Sequence, residues 1–541
     1  MNFKKSISVA SERSDRIVQW VDQHCVTRWL ADHGNLAFFY GIFLFLYEVS
    51  ILREVVPAIH PPLIAWAGLL AVYDIFVRKL WKDTPFWNAL LLFMISAAVT
   101  AVINMETGVV SNVKAWIMTI IPLVAFYPVC VTGNLLEKKR TLVKAMMGGA
   151  IVVFLCSLVA IGMYLARISE TVEYMGKSIT IGFRYYIKDD PSSGILLYGL
   201  NEDTNHSAAY ALVFAAYSIF LILNCRKGLF SKKWMNTGAT VFAAVNLAVQ
   251  IGYFPLANSR GGWLSLIVSG AVALFLFFYR TKFAGKKGWQ GTIVSIGATV
   301  CMVIMIYVGL VGIRTAISRT STMLHTPGVV EKNEGTYTTE VTETTETVET
   351  TQTGATEVTE VTEVTEVTEA TEATQPATEI VETTEPVIYE ETFNKADTFQ
   401  GGGRIWIWTD VLSLFVKKPI LGNGPGNNAY YAEKFGVAPY SMGYGKAVHN
   451  SYLDLLLNYG VIGFVLTLAF WVLCVKAVLV KVWTKGRTLD LSYYLVAFSV
   501  LLVAITSVFL SSVFINTTAV SHIMFIMVGY LVTYAADESA Q

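Results

Sequence analysis

Arginine and histidine side chains stand at the edges of apolar runs in this sequence, where they are available for chemistry. Arg260 follows Asn258 and Ser259 and is followed by two glycines, directly before a long apolar run. An arginine beside the free N–H groups of a helix N-terminus suits an anionic phosphate. An arginine that snorkels to a membrane interface is the simpler interpretation of the same position.

His449 lies just before another apolar run and is followed directly by Asn450. An imidazole with an ordinary pKa of about 6.5 can take a proton from a hydroxyl nucleophile near neutral pH. A purely structural role is the alternative for a single histidine at such a position. His206, beside Asn205 at the start of a further apolar run, has a comparable setting.

Arg404 follows three glycines and begins a short apolar segment that ends at Pro419. This pattern predicts a Gly-rich turn followed by an interfacial helix. The tight turn from Gly422 to Gly426 comes next; it lacks the Lys-Ser/Thr pair and the preceding strand of a P-loop, so no nucleotide site is predicted. Arg184 is either a further anion contact or an ordinary loop residue.

Patterns typical of metal and disulfide sites do not occur in the sequence. There is no His-x-x-x-His spacing and no Asp-x-Asp pair, so we expect a reaction that uses neither a metal nor another cofactor. The six cysteines include no Cys-x-x-Cys pair and are interpreted as small apolar side chains.

Hydropathy predicts that these residues belong to an all-α, polytopic membrane protein. Of 541 residues 54% are hydrophobic and 15% charged, and mean hydropathy is +0.52. Such a composition excludes a disordered chain and disfavours a soluble enzyme. A helix needs about 20 apolar residues to cross about 30 Å of hydrocarbon. Runs of this kind predict twelve spans, near 35–52, 62–78, 86–104, 113–133, 143–166, 207–224, 235–254, 262–279, 291–313, 453–482, 491–512 and 518–536.

Basic residues predict the orientation of these spans. Alternate short loops hold 24 of the 40 Lys and Arg residues, which places those loops in the cytoplasm by the positive-inside rule. Both termini are then cytoplasmic. Residues 1–34 contain no early apolar segment, so a cleaved signal peptide is not expected. Residues 167–206 and 314–452 fall on the outer side, together with Arg184, Arg260, Arg404 and His449.

The formal net charge of zero conceals an acidic insert. Residues 331–391 contain 17 Glu and one basic residue, so the rest of the chain has 39 basic and 23 acidic residues, a balance of +16. Thr-Glu-Val and Thr-Glu-Ala units repeat with a period of three, which matches neither a helix nor a strand face. The composition predicts a disordered, solvated spacer, or a Thr-rich acceptor of O-linked sugars.

The predicted organisation has seven parts. They are a cytoplasmic segment (1–34), spans 1–9 (35–313), an outer loop (314–330), the disordered insert (331–391), an outer loop with the interfacial helix and the candidate catalytic motif (392–452), spans 10–12 (453–536) and a cytoplasmic tail (537–541).

At these residues the chain resembles the O-antigen ligase and O-antigen polymerase family of bacterial membrane glycosyltransferases. The family pattern His-[Asn/Ser/Gln], nine residues, Gly-x-x-Gly is similar to His449, Asn450, Gly460 and Gly463. Further similarity lies in Ser259 to Gly261, in the stretch from Arg404 through Trp408 and Pro419 to the Gly-x-Gly-x-Gly turn, and more loosely in Tyr198 to Asn205. The similarity covers roughly residues 180–470, and the acidic insert is a departure from the family pattern.

The resemblance implies a helical fold similar to the GT-C membrane glycosyltransferases, with a large outer loop between spans 9 and 10. It implies inverting, metal-independent transfer of a glycan from undecaprenyl diphosphate to an acceptor hydroxyl at the outer face of the inner (cytoplasmic) membrane. Carried over by position, His449 is the base, Arg260, Arg404 and less securely Arg184 contact the diphosphate, and Asn450 and Asn205 support them. No nucleic-acid partner is expected.

Two alternatives stay open from the sequence. A transporter or flippase of lipid-linked glycans would also be polytopic, but transporters typically show internal repeats and polar groups at the midplane of the membrane. Within the enzyme interpretation the acceptor is a lipid core sugar, the growing polymer, a wall polymer or, as in a protein O-oligosaccharyltransferase, Ser or Thr of a protein.

Overall fold

A computed structural model of the chain describes residues 14–174, 177–187, 190–201, 203–282, 288–325, 404–437, 447–486 and 488–537. Contacts group residues 1–326 and 398–541 into one unit and residues 327–397 into another. The fold below is that of the first unit. The acidic insert 331–391, with its predicted disorder, lies outside the described residues.

In the described residues before the insert, a short helix at Cys25–Leu30 is followed by nine helices that coincide with apolar runs. They are α1 (His33–Tyr47), α2 (His60–Val72), α3 (Trp87–Ile103), α4 (Val109–Ile121), α5 (Leu135–Leu165), α6 (Thr204–Arg226), α7 (Lys233–Ala257), α8 (Arg260–Phe277) and α9 (Gly288–His325). Short 3₁₀ or π turns extend α2 and α4 into the apolar segments Val56–Arg78 and Val109–Cys130.

Five helices follow in the described part after the insert: α10 (Arg404–Phe415), α11 (Asn428–Lys434), α12 (Ser451–Lys485), α13 (Leu491–Thr506) and α14 (Ala519–Asp537). The short α10 lies where the sequence predicts an interfacial helix. Its buried side is formed by Ile407, Val411 and Leu414, while Ile405 and Trp406 are exposed.

The chain is a helical, multi-pass membrane protein, as hydropathy predicts. In the described residues, eight helices are long and apolar enough to cross a membrane, and α1, α3, α13 and residues Ala519–Tyr534 of α14 are shorter apolar helices. Together they occupy the twelve predicted runs. A helix of 15 to 17 residues reaches only about 22–26 Å, less than the hydrocarbon core of about 30 Å. Twelve complete crossings therefore stay a prediction.

A three-stranded antiparallel sheet interrupts the helices between α5 and α6. It consists of β1 (Ser169–Tyr174), β2 (Lys177–Ile187) and β3 (Asp190–Gly199), paired in the order β1-β2-β3. The sequence predicted an outer loop here and no strands. Directly after β3, the Ser50 N–H donates to the Leu200 carbonyl (2.9 Å). This bond joins the segment after α1 to the segment between β3 and α6.

Helices α6 and α14 form the centre of the bundle. Phe214, Phe220, Ile526 and Tyr530 are almost fully buried, whereas most of α9 is exposed at the periphery. The helix α5 packs closely on α1 at Gly148, where an added Cβ would lie 2.2 Å from the Phe38 carbonyl oxygen. Small residues of this kind allow close helix approach in membranes, where packing replaces the hydrophobic effect as the main driving force.

Candidate active site

The N-terminal ends of four helices lie together at one end of the bundle. The side chains of Asp203, Ser259 and Asn450 cap α6, α8 and α12 by accepting hydrogen bonds from backbone N–H groups of the first turn. The fourth helix is α10, which begins at Arg404. Because each helix N-terminus carries a partial positive charge, this end of the bundle favours anions.

A hydrogen bond between side chains ties the starts of α6 and α8 together. The Ser259 hydroxyl donates to the Asn205 side-chain oxygen (2.7 Å) and accepts from the Gly262 N–H (3.0 Å). This arrangement holds Arg260, the first residue of α8, at the end of the bundle where α6 begins. Asn205 therefore accepts the hydrogen bond that connects the start of α6 to the start of α8.

The backbone of His449 is held from both sides. Its φ of +51° lies in the left-handed region, which is unfavourable for a residue with a side chain. The His449 N–H donates to the Ser511 hydroxyl (2.6 Å), and the Ser451 N–H donates to the Ser507 carbonyl (2.9 Å). Asn450 caps α12 through the Tyr452 and Leu453 N–H groups. The loop after α13 therefore fixes the backbone that carries the imidazole.

Arg404 reaches the same loop from α10. Its guanidinium carbon lies 5.5 Å from the centre of the Phe509 ring. The Trp408 indole N–H donates to the carbonyl of Val448, the residue before His449 (3.2 Å). These two contacts place the start of α10 beside the start of α12, although an insert separates Arg404 from α9 in the sequence.

Electrostatic interactions show that the candidate residues form one cluster, which we call the Arg/His cluster: Arg260, Arg404 and His449 with Asp203 and His206. Burial lowers the pKa of His449, and the nearby charge of Arg404 lowers it further, against an opposite effect of Asp203. Burial also lowers the pKa of Arg404; Asp203 opposes this and Arg260 adds to it. The imidazole of His449 is therefore neutral at neutral pH, beside the guanidinium group of Arg404.

Such a cluster can bind an anion and accept a proton at the same time. The guanidinium groups offer N–H donors in the fork geometry that suits phosphate oxygens. A neutral imidazole can take a proton from a bound hydroxyl, which a protonated one cannot.

Two acidic residues of the site were missed by the sequence analysis. Asp203 caps α6 and accepts from the Asn205 N–H (2.6 Å), and an Asp before an apolar run is a recognised N-cap signal. Glu48, at the end of α1, lies 3.3 Å from His206 Nδ1 and accepts from the Tyr210 hydroxyl (3.2 Å). No spacing rule connects Glu48 to residues 158 positions away.

The remaining predicted position, Arg184, lies in β2 and is paired with Leu196 of β3. Its side chain is outside the described part of the structure, so its proposed contact with an anion stays a prediction.

The Gly-rich turn after Pro419 braces a break in α12. Gly460 has φ +64° and ψ −169°, so the helix is interrupted there. The turn supplies hydrogen-bond partners for backbone groups that the interrupted helix leaves unpaired. The Val461 N–H donates to the Pro419 carbonyl (2.8 Å), and the Gly424 N–H donates to the Asn458 carbonyl (2.8 Å). The glycines thus serve a structural contact between backbones, and an added Cβ on Gly460 would lie 2.3 Å from a carbonyl oxygen.

A buried network of asparagines fixes this turn to the connection between α3 and α4. The Asn427 amide donates to the Asn112 side-chain oxygen (2.8 Å), and the Thr107 hydroxyl donates to the Asn427 oxygen (2.7 Å). Asn112 in turn donates to the Asn104 carbonyl (2.9 Å). The connection between α3 and α4 therefore supports the segment that lies between Arg404 and His449 in the sequence.

Asp454, in the first turn of α12, anchors the loop that holds His449. Its carboxylate accepts from the Ser512 N–H (2.8 Å) and hydroxyl (3.2 Å), and from the Asn458 amide (2.8 Å). Ser512 has a left-handed φ of +62° and follows Ser511, the partner of His449. Asp454 is therefore a positioning residue that acts through this loop.

We expect Asp454→Asn to lower kcat for the reaction of this site about tenfold or more, because its amide puts a donor where the carboxylate accepts, at a cost of about 1–3 kcal/mol. The measurement is the turnover of purified, folded protein. Asp490→Asn is the matched control, since Asp490 caps α13 and contacts Lys139. Unchanged turnover of Asp454→Asn would show that the loop does not depend on this carboxylate.

Residues 245–468 match the family model described as O-antigen ligase. This segment is an O-antigen ligase domain. The resemblance seen in the sequence is thereby confirmed, and the match runs from α7 into α12. None of the curated proteins matches the chain.

The O-antigen ligase domain contains Arg260, Arg404 and His449, whereas Asp203 and Asn205 precede it. The match supports glycan transfer in general, with a lipid-linked glycan and an acceptor as partners in a membrane. The acidic insert also lies inside the matched range.

Proposed function

We propose that the chain transfers a glycan from undecaprenyl diphosphate to an acceptor hydroxyl, as an O-antigen ligase or a surface polysaccharide polymerase does. The observation that carries this proposal is the Arg/His cluster at the meeting point of four helix N-termini. Its charge suits a diphosphate, and its neutral histidine suits a hydroxyl nucleophile. The positive-inside pattern supports an outer-face location of the cluster in the cytoplasmic membrane, with both termini in the cytoplasm.

In the proposed reaction the acceptor oxygen attacks the anomeric carbon of the donor. His449 takes the hydroxyl proton as the new C–O bond forms, and the bond between the anomeric carbon and the diphosphate oxygen breaks. The diphosphate leaves with the electron pair, and Arg260 and Arg404 stabilise its developing negative charge. Attack opposite to the leaving group inverts the configuration of the anomeric carbon. Arg184 is a third candidate contact to the diphosphate.

The test is turnover by purified full-length protein with a defined undecaprenyl-diphosphate-linked glycan and separate candidate acceptors: lipid core sugar, polymer, wall polymer and a Ser/Thr protein. We expect released undecaprenyl diphosphate and one glycosylated acceptor, with equal rates with and without EDTA. Movement of the donor across a vesicle membrane without any transfer would instead support a flippase.

Deleting residues 331–391 is expected to leave the rate of transfer within about twofold of the full-length chain. Residues 331–391 contain one basic residue and no histidine, so they offer neither a cluster of cations for a diphosphate nor an imidazole base. Rates of the two purified proteins, each shown to be folded, provide the measurement. Loss of transfer in the folded deletion protein would assign the insert a part in the reaction.

A further inference from the structure

The second histidine of the Arg/His cluster, His206, is paired with a carboxylate. Its Nδ1 lies 3.3 Å from Oε2 of Glu48, and the Tyr210 hydroxyl donates to the other carboxylate oxygen, Oε1 (3.2 Å). The side chains of His206 and Glu48 are 24% and 18% exposed, so the pair is largely buried but still reaches the surface. The reaction proposed above uses neither side chain.

The ends of two helices bring this pair together. Glu48 directly follows α1, and His206 lies in the first turn of α6. A backbone bridge between Val49 and Asn201 joins the segments next to these ends. The C-terminal end of a helix carries a partial negative charge, so the end of α1 favours a cation beside it. The carboxylate of Glu48 has the same effect at closer range.

Further charged groups surround His206 from several elements. Burial and Arg53, which follows α1, oppose the charged form of the imidazole, whereas Glu48 and Asp203, the cap of α6, favour it. From the start of α12, His449 interacts electrostatically with His206. Two carboxylates and one guanidinium therefore determine the charge of His206, within the same cluster as the candidate base.

The contact with Glu48 determines what the second ring nitrogen of His206 can do. A carboxylate only accepts, so Nδ1 carries the proton of this hydrogen bond. Within the described part of the chain, Nε2 makes no hydrogen bond and is available to a ligand. Nε2 is a donor while the ring is protonated. When the ring loses its charge, Nε2 becomes an acceptor, which repels a phosphate oxygen.

We propose that His206 is a further cationic contact to the diphosphate of the donor: its Nε2–H binds a phosphate oxygen, and Glu48 holds the ring in place and protonated. This inference rests on the proposed function. An imidazolium differs from the guanidinium groups of Arg260 and Arg404 because it loses its charge at alkaline pH. Binding of the diphosphate therefore weakens as the pH rises.

The experiment measures Kd between the full-length protein in nanodiscs and undecaprenyl diphosphate that carries one N-acetylglucosamine residue, without an acceptor. A diphosphate esterified at both ends has no group that titrates between neutral and alkaline pH, so a change in Kd reports on the protein. His206→Gln keeps an amide donor but removes the charge that titrates. Glu48→Gln keeps the imidazole but removes the carboxylate. Empty nanodiscs correct for partition into lipid.

Two matched variants provide controls. His24→Gln changes an exposed histidine near the start of the chain. Glu106→Gln changes a carboxylate with a similar pair of partners away from the cluster, since Glu106 accepts from the Tyr431 hydroxyl (2.8 Å) and forms an ion pair with Lys434 (3.0 Å). Both variants should have the wild-type Kd at each pH.

We expect the wild-type Kd to rise about tenfold from neutral to alkaline pH, as loss of one charge-assisted hydrogen bond implies. His206→Gln should have a Kd about tenfold higher than wild type at neutral pH and show no further rise. In Glu48→Gln the rise should begin at lower pH, because the carboxylate no longer favours the protonated ring.

A wild-type Kd that does not change with pH would overturn the inference. So would a His206→Gln protein with the wild-type pH dependence, since a purely structural histidine affects folding but not this profile. Arg404→Gln separates the two proposals. If it weakens binding and His206→Gln does not, the role of His206 fails and the proposed function stands. If Arg404→Gln binds as tightly as wild type, the diphosphate site on which both rest fails.

Discussion

Replacing His449 by alanine is expected to lower kcat for glycan transfer by about 10²- to 10⁴-fold, the usual contribution of a general base. The imidazole is neutral because burial and the Arg404 charge lower its pKa, and its backbone is fixed by Ser511 and the cap of α12. The measurement is release of undecaprenyl diphosphate by purified protein, with surface glycan of the producing cells as a second readout.

The pH profile distinguishes a base from a structural histidine. Transfer requires the neutral imidazole, so kcat/KM should fall on the acid side at a pH below 6.5, the ordinary pKa from which that of His449 is lowered. Arg404→Gln removes a positive charge that lowers this pKa. The acid limb of its residual activity should therefore move to higher pH, towards 6.5.

His24→Ala is the control, because His24 is an exposed histidine near the start of the chain. It should have wild-type turnover and an unchanged acid limb. Wild-type surface glycan in cells with His449→Ala would exclude His449 as the base. An acid limb that stays at the same pH in Arg404→Gln would show that the charge of Arg404 does not affect the group that titrates.

The helices of the membrane body were predictable because lipid leaves a spanning chain few alternatives. A backbone in hydrocarbon must satisfy its own hydrogen bonds, so long apolar runs become helices. Their ends were less predictable, since hydropathy detects the apolar part of a helix rather than the helix. α5 begins at Leu135, before the predicted 143, because Asn134 and Glu137 form a capping box ahead of a basic turn. α9 likewise continues to His325, into the predicted loop.

The sheet before α6 had a local signal that hydropathy windows average away. Residues 178–181 of β2 alternate polar and β-branched apolar side chains, which is the pattern of a half-buried strand. Ile179 and Phe183 are buried, as this alternation indicates. A search for strands inside the polar segments would have found β2, although not its packing against α5.

Within the candidate site, the sequence could reveal residues that lie at span ends but not the partners that hold them. Arg260 and His449 stand out because charged groups near hydrocarbon are costly. Glu48 and Ser511 come from other helix ends, and only the tertiary structure brings them to the site. Gly460 belongs to a recognisable sequence pattern, but the pattern does not reveal that the helix is interrupted there. The break is stabilised by the Gly-rich turn, which is about 40 residues away in the sequence.

Neutralising the arginines is expected to have the second large effect. Arg404→Gln and Arg260→Gln should each lower kcat/KM by about 10²- to 10³-fold, as loss of one donor to a developing negative charge does in other enzymes. Arg404→Lys should recover only part of this loss, because an ammonium group keeps the charge but not the two parallel N–H donors. Rates with one lipid-linked donor measure all three variants.

The control is Arg226→Gln, since Arg226 is an exposed arginine at the opposite end of α6, the helix whose start belongs to the cluster. It changes the net charge by the same amount without touching the cluster and should keep the wild-type rate. If the arginines stabilise the leaving diphosphate, the double variant of Arg260 and Arg404 should lose less than the product of the single effects, because both act on the same group. Fully multiplicative losses in the double variant would mean that the two guanidinium groups act independently. An equal loss of kcat/KM in Arg226→Gln would show that the rate depends on the net charge of the protein and not on the position of the arginines.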